Sequence, residues 1–185
     1  MREIEIKATV SSVQSIIDIL NTQGVTMTAP VTQHDRIYGE AGADGGGDNT
    51  SPWLRIRTET KNGATKHLFT LKRSVTNQLD SIEHETEVAD ATELESIISQ
   101  LSFVPYSELT KTRQKARIGE IEVCLDTVEK LGTFIEAEKL TADDADYDSV
   151  LRELWAVFES LGIRHQDEIV DGYDVLMNKY LETAV

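Results

Sequence analysis

Glu3-Ile4-Glu5-Ile6-Lys7 opens the chain with a charge at every second position and an isoleucine between each pair. Strand side chains alternate faces, so Glu3, Glu5 and Lys7 share one side and Ile4 and Ile6 the other. Two carboxylates one pleat apart can grip a divalent cation, and a neighbouring lysine can hold an anion such as phosphate. A solvated edge strand would read the same way, so the decision rests on whether the pattern recurs.

It recurs along the chain. Leu54-Arg55-Ile56-Arg57 puts two arginines on one face, and Phe69-Thr70-Leu71-Lys72 sets Lys72 against apolar neighbours. Glu83, Glu85 and Glu87 follow at spacing two, then Lys111, Arg113, Lys115 and Arg117, then Glu120 to Asp126 and Phe134-Ile135-Glu136-Ala137-Glu138. A half-buried sheet would mix signs on its water face. Here each strand carries mostly one sign, and basic strands alternate with acidic ones. A barrel lined with charge, its apolar outside covered by helices, gives both faces of every strand a purpose.

The rest of the pattern supplies those helices. Ser11 or Ser12 can cap a helix reaching about Gln23, with Val13, Ile16, Ile17 and Leu20 on one face and Gly24 as its stop. Further helices are expected over Ala91 to Leu101, Asp148 to Leu161 and Gly172 to Leu181. Strands are expected over Gln33 to Tyr38, Trp53 to Glu59, His67 to Arg73, Ser81 to Val88, Tyr106 to Arg117, Glu120 to Asp126 and Thr133 to Leu140. Gly39 to Pro52 reads as a mobile loop. Its Gly45-Gly46-Gly47 lacks the Gly-Lys-Ser/Thr of a phosphate loop.

The 185 residues, 39% hydrophobic, suit one domain spanning residues 1–185 with a sizeable core. There is no run of eighteen apolar residues and no leader-like start, which predicts a cytoplasmic protein without a membrane partner. The lone Cys124 leaves no internal disulfide and no cysteine-rich zinc site. A net charge of −15, from 33 acidic and 18 basic residues, argues against nucleic acid as a partner. Cations gathered in one tunnel can still bind a polyanion. The four histidines are dispersed without ligand spacing and read as surface or core.

The ordered set Glu-x-Glu-x-Lys, Leu-Arg-x-Arg, Thr-Leu-Lys, Lys-x-Arg and Leu-Gly-x-Phe-x-Glu-x-Glu resembles the CYTH superfamily, the triphosphate tunnel metalloenzymes, from Glu3 to Tyr173. The resemblance implies an α+β fold, a closed eight-stranded antiparallel β-barrel with a charged interior covered by helices. It implies a magnesium- or manganese-dependent enzyme whose partner is a small-molecule triphosphate, and it is compatible with a homodimer. The phosphate clamp is expected from Arg55, Arg57, Lys72, Lys111 and Arg113, since guanidinium forks grip phosphate oxygens and lysines act as compact charges. Removing one of these cations should relieve repulsion and leave the fold intact. The metal ligands are expected among Glu3, Glu5, Glu136 and Glu138, with Asp126, Glu85 and Glu87 as second choices. Lys7, Glu5 and Glu138 are the expected catalytic groups. Lys115 and Arg117 read as rim residues, while Asp35 and Tyr38 read as structural anchors. Trp53, expected near the mouth, could stack on the organic half of a substrate. Cys124 sits where some relatives place a polar or acidic side chain. The leading activity is that of a class IV adenylyl cyclase. A thiamine or inorganic triphosphatase, with Lys7 or a metal-bound hydroxide activating water, is the alternative, and a non-catalytic nucleotide- or polyphosphate-binding module is the third reading.

Overall fold

A computed structural model describes residues 1–41 and 51–184. The expectations for Gly45-Gly46-Gly47 and most of the loop around it lie outside those residues. The elements run β1 (Arg2–Thr9), α1 (Val13–Thr22), β2 (Val31–Glu40), β3 (Trp53–Lys61), β4 (Ala64–Asn77), β5 (Asp80–Val88), α2 (Ala91–Gln100), β6 (Phe103–Ile118), β7 (Ile121–Val128), β8 (Gly132–Thr141), α3 (Tyr147–Ser160) and α4 (Tyr173–Thr183). The strands close into one barrel in the order β1-β5-β4-β3-β2-β6-β7-β8. Every neighbouring pair is antiparallel. The charge-lined barrel inferred from the alternation, with the eight antiparallel strands that the resemblance implies, is the fold.

Several strands outrun the expected bounds because their turns are tight. β3 and β4 meet through Asn62 and Gly63 with Lys61 paired to Ala64, and both turn residues have positive φ, 52° and 80°. That is the two-residue hairpin for which Asn-Gly is suited, since its twist matches that of the strands. β4 therefore starts at Ala64, three residues before His67. Likewise Ile118 pairs with Ile121, so Gly119-Glu120 is a turn and Glu120 does not belong to β7.

The apolar faces point outward, as the inverted pattern requires. Ile4, Ile6 and Ala8 of β1, Val123 and Leu125 of β7, and Ile135 and Ala137 of β8 pack with Ile16 and Leu20 of α1 and Leu154 and Phe158 of α3. α2 covers Leu54 and Ile56 of β3 with Ala91 and Ile98. Burying each such side chain contributes about 1.5–3 kcal/mol. Among the described residues no helix is long and apolar enough to cross a membrane.

The acidic run Asp143 to Asp146 is more than solvated surface. The carboxylate of Asp146 accepts from the backbone N–H groups of Asp148 (3.1 Å) and Ser149 (3.3 Å), capping α3, the helix that covers β1 and β8. Asp146→Ala should lower the stability measured by urea unfolding by about 1 kcal/mol, the usual worth of such a cap. An unchanged midpoint would show that α3 is held by its apolar face alone.

Candidate active site

The inward positions of the strands line a single cavity of about 1030 Å³. At one end its wall is the exposed β3–β4 hairpin, including Lys61, Asn62, Thr65 and Lys66, so this end opens to solvent. At the other end the lining includes Gly172, Tyr173 and Asp174, where α4 begins. Tyr173 packs there with Phe134, Leu109 and Met177. The barrel is thus a cleft open at the hairpin end and covered by α4 at the other.

All five expected clamp cations line this cavity. Arg57 donates Nε and Nη2 to the two oxygens of Asp35, each at 2.7 Å. Arg113 donates to Asp126 at 2.8 and 2.5 Å and also to Glu136. Lys111 donates to Asp126 at 3.0 Å, while Lys72 pairs with Glu83 and reaches Glu3 at 3.4 Å. Each cation but one therefore stands on a close carboxylate that fixes its direction. Arg55 is the exception. Its Nη2 donates to Thr70 at 3.2 Å and lies 3.5 Å from Glu85, while its buried Nε has no partner among the described residues. Burial and the neighbouring Arg57 push its pKa down, and an incoming anion would relieve both.

The carboxylates divide into two kinds. Oxygens of Glu3, Glu5 and Glu138 lie within 4.8 Å of one another. Burial and Glu136 push the Glu5 carboxyl up, and burial with Glu3 pushes Glu138 well above the ordinary range. Burial also acts to raise Glu3, but Lys72 and Arg55 outweigh it and hold its carboxyl low. Crowded oxygen ligands that resist ionisation together fit a hard divalent cation, whose charge would offset their repulsion. Glu136 is of the other kind. Burial favours its neutral form, yet Arg113, Lys7 and Lys111 overcome this and keep it ionised. Asp126 is fully buried beneath Arg113 and Lys111 and is likewise held ionised against its burial. Both orient the clamp, so of the expected metal set only Glu3, Glu5 and Glu138 come together.

Of the second choices, Glu85 lines the cavity and accepts from Thr70 at 2.9 Å, whereas Glu87 is exposed and does not line it. Lys7 is buried, 3.4 Å from Glu136 and 3.9 Å from Glu5, and it donates to the Asp171 carbonyl at 3.3 Å. Its ammonium also sits 4.3 Å from the centre of the Tyr173 ring. Tyr173 therefore reaches the tunnel at the α4 end, and Lys7 ties that end to the acidic wall. Lys115 lines the cavity rim against Glu122, and Arg117 is exposed. Asp35 anchors Arg57, as noted, and Tyr38 anchors on the outside, donating to Glu95 at 2.5 Å. Burial pushes the Cys124 thiol up, so it stays protonated beside Glu122.

Trp53 lies elsewhere than expected. It begins β3 beside the cluster formed by Phe134, Tyr173 and Met177, at the end covered by α4, with Lys72 Nζ 5.4 Å from its ring centre. The hairpin sense explains this: β3 runs from the α4 end toward the open mouth, so Trp53 lies below Arg55 and Glu59 lies above Arg57. Glu83, named above only as part of an acidic strand, lines the cavity too, together with Gln33 and Glu59, for which the sequence suggested no role. Glu83 holds the same strand face as Glu85, and Gln33 the same face as Asp35, so the period of two was the available signal.

The CYTH domain family model matches residues 1–173. A curated relative from Methanocaldococcus jannaschii, "Putative adenylate cyclase MJ0240", is 28% identical over 94% of this chain and 97% of its own length. Among solved structures, the PH1819 protein of Pyrococcus horikoshii OT3 superposes with a TM-score of 0.81 at 24% identity, covering 96% of this chain and 99% of that one. The Hippeastrum protein "Putative adenylyl cyclase HpAC1", described as revealing a dominant triphosphatase activity, gives 0.58 at 20% identity over 93% and 91%. With the ordered motifs, the closed barrel and a family match over nearly its whole length, this chain belongs to the CYTH family.

Proposed function

We propose that the chain is a divalent-metal-dependent enzyme acting on the triphosphate of an organic triphosphate, with conversion of ATP to cyclic AMP and pyrophosphate as its reaction. The observation that carries the reading is the opposition, across one cavity, of a cationic wall to the Glu3, Glu5 and Glu138 cluster. A triphosphate brings close to four negative charges and needs both cations and metal to offset its desolvation. The cavity also exceeds what the phosphates alone require, since about 300–1,000 Å³ suits a whole drug-sized ligand. The relative named as an adenylate cyclase favours cyclisation.

In this reading Arg55 and Arg57 grip phosphate oxygens in fork geometry, while Lys72, Lys111 and Arg113 offset charge developing on the departing pyrophosphate. The 3′-hydroxyl attacks the α-phosphorus, the bond to the β-phosphate bridging oxygen breaks, and the hydroxyl proton passes to a carboxylate oxygen. Glu5, which lines the cavity beside Glu3, would receive it through whichever oxygen the metal leaves free. Magnesium or manganese, held by Glu3, Glu5 and Glu138, would supply Lewis-acid polarisation of the phosphates.

The test is to incubate the pure protein with ATP, thiamine triphosphate and tripolyphosphate, with magnesium or manganese, and identify the products. Cyclic AMP and pyrophosphate are expected. ADP with phosphate, or hydrolysis of the other two compounds, would replace cyclisation with triphosphatase chemistry. Tight binding without turnover would leave a binding module.

A further inference from the structure

Above the clamp, on the open side of the cavity, stands a polar pair that the phosphate reading leaves unused. Gln33 of β2 is 2% exposed and lies in register with Lys111 of β6 on one side and Glu59 of β3 on the other. Its Nε2 donates to Glu59 Oε1 at 2.6 Å. That bond fixes the amide, because turning it over would set two oxygens against each other. Glu59 is itself held ionised: burial acts to raise its carboxyl, and hydrogen bonds from Lys66 and Gln33 outweigh this. Lys66 takes the second oxygen of Glu59 at 2.9 Å, so the pair is braced from the rim. The consequence is an orphan acceptor. Gln33 Oε1 is buried and has no hydrogen-bond partner among the described residues, on a residue that lines the cavity. A buried carbonyl left unpaired destabilises the fold, yet the chain keeps this one, one pleat beyond Arg57.

We infer that Gln33 and Glu59 form the recognition site for the organic half of the substrate, with Gln33 Oε1 accepting an N–H or O–H donor of a nucleoside. This rests on the triphosphate reading and adds its direction: phosphates on Arg55, Arg57 and Arg113, nucleoside toward the open hairpin end. The opposite orientation would put the nucleoside beside Trp53, at the end of the cavity walled by Tyr173 and the start of α4. A ribose hydroxyl and the exocyclic amine of adenine both supply the required donor.

The experiment compares wild type, Gln33→Met and Glu59→Gln by calorimetry with calcium as the divalent ion. Methionine keeps the length of glutamine and removes its acceptor, and Glu59→Gln frees the amide while keeping its own shape. Gln33→Met should weaken ATP about tenfold and leave tripolyphosphate unchanged, the size of one net hydrogen bond. Glu59→Gln should give a smaller loss of the same selectivity. Repeating the pair with 2′-deoxy-ATP, 3′-deoxy-ATP and inosine triphosphate identifies the donor, because the penalty of Gln33→Met vanishes with the analogue that lacks it. A penalty surviving all three analogues, an equal loss with tripolyphosphate, or a loss of ATP selectivity only in Trp53→Ala overturns the inference. Failure of wild type to bind tripolyphosphate at all would instead sink the triphosphate reading beneath it.

Discussion

Glu138→Gln and Glu5→Gln should each lower turnover about a hundredfold or more, with no loss of thermal stability. The size follows if each carboxylate's contact to a bound metal contributes about 3 kcal/mol at the transition state. Stability should hold because both groups are crowded by like charges, and an isosteric amide removes that repulsion. The same crowding fixes the pH dependence. A carboxyl raised above its ordinary range must lose its proton before it can bind metal, so the magnesium concentration needed for half-maximal activity should fall as pH rises. Glu138 is raised well above the range and should set most of that slope, which should flatten in Glu138→Gln. Turnover that persists in excess chelator, or a metal requirement indifferent to pH, would remove Glu3, Glu5 and Glu138 from the metal site.

The barrel was legible because its alternation is simple. Glu3-Ile4-Glu5-Ile6-Lys7 states which face is inside, and a period of two carries that statement along each strand. The cations and the acidic trio could be named for the same reason, since all lie on inward positions. What alternation cannot show is which inward neighbours touch across strands. Asp126 and Glu136 resemble Glu138 in the sequence, yet register sets Asp126 opposite Arg113, and Arg113 draws both carboxylates away from metal-binding duty. Glu87 shares a face with Glu85 but stands past the rim, because β5 extends beyond the cavity at that end. The sense of β3 decides that Trp53 lies deep and Glu59 shallow, and sense emerges only when the ring closes. Gln33 carried no charge to attract notice; its significance lies in an amide oxygen without a partner.

Arg113→Ala and Arg55→Ala should behave differently, although both sit in the clamp. The expectation from sequence, that losing a tunnel cation relieves repulsion and spares the fold, holds only where the cation lacks a close, buried carboxylate beneath it. Arg113 binds Asp126 and Glu136, both buried, so its removal leaves Asp126 to Lys111 and Glu136 to Lys7 and should cost about 3 kcal/mol in urea unfolding at pH 7, the low end for breaking a buried pair. Arg55 has a hydrogen bond to Thr70, a long contact of 3.5 Å to the part-exposed Glu85, an unpaired Nε and a pKa already lowered by burial and Arg57, so Arg55→Ala should shift the unfolding midpoint far less than Arg113→Ala. Both variants should lose tripolyphosphate affinity by about ten- to a hundredfold, the worth of charge-assisted hydrogen bonds. Acid supplies the second readout. Asp126 and Glu136 have depressed pKa values in the folded wild type, so their contribution is fully present above the unfolded value near 4 and is lost as pH falls through the folded one. In Arg113→Ala the same carboxylates lack their guanidinium, and protonation relieves them instead. The stability gap between wild type and Arg113→Ala should therefore shrink as pH drops below about 4, while Arg55→Ala, which loses only the weaker hold of Arg55 on Glu3 and Asp35, should show a smaller change of the same sign. A gap for Arg113→Ala that is constant with pH would mean the arginine acts by packing, and the ion pairs to Asp126 and Glu136 would lose their role in orienting the clamp.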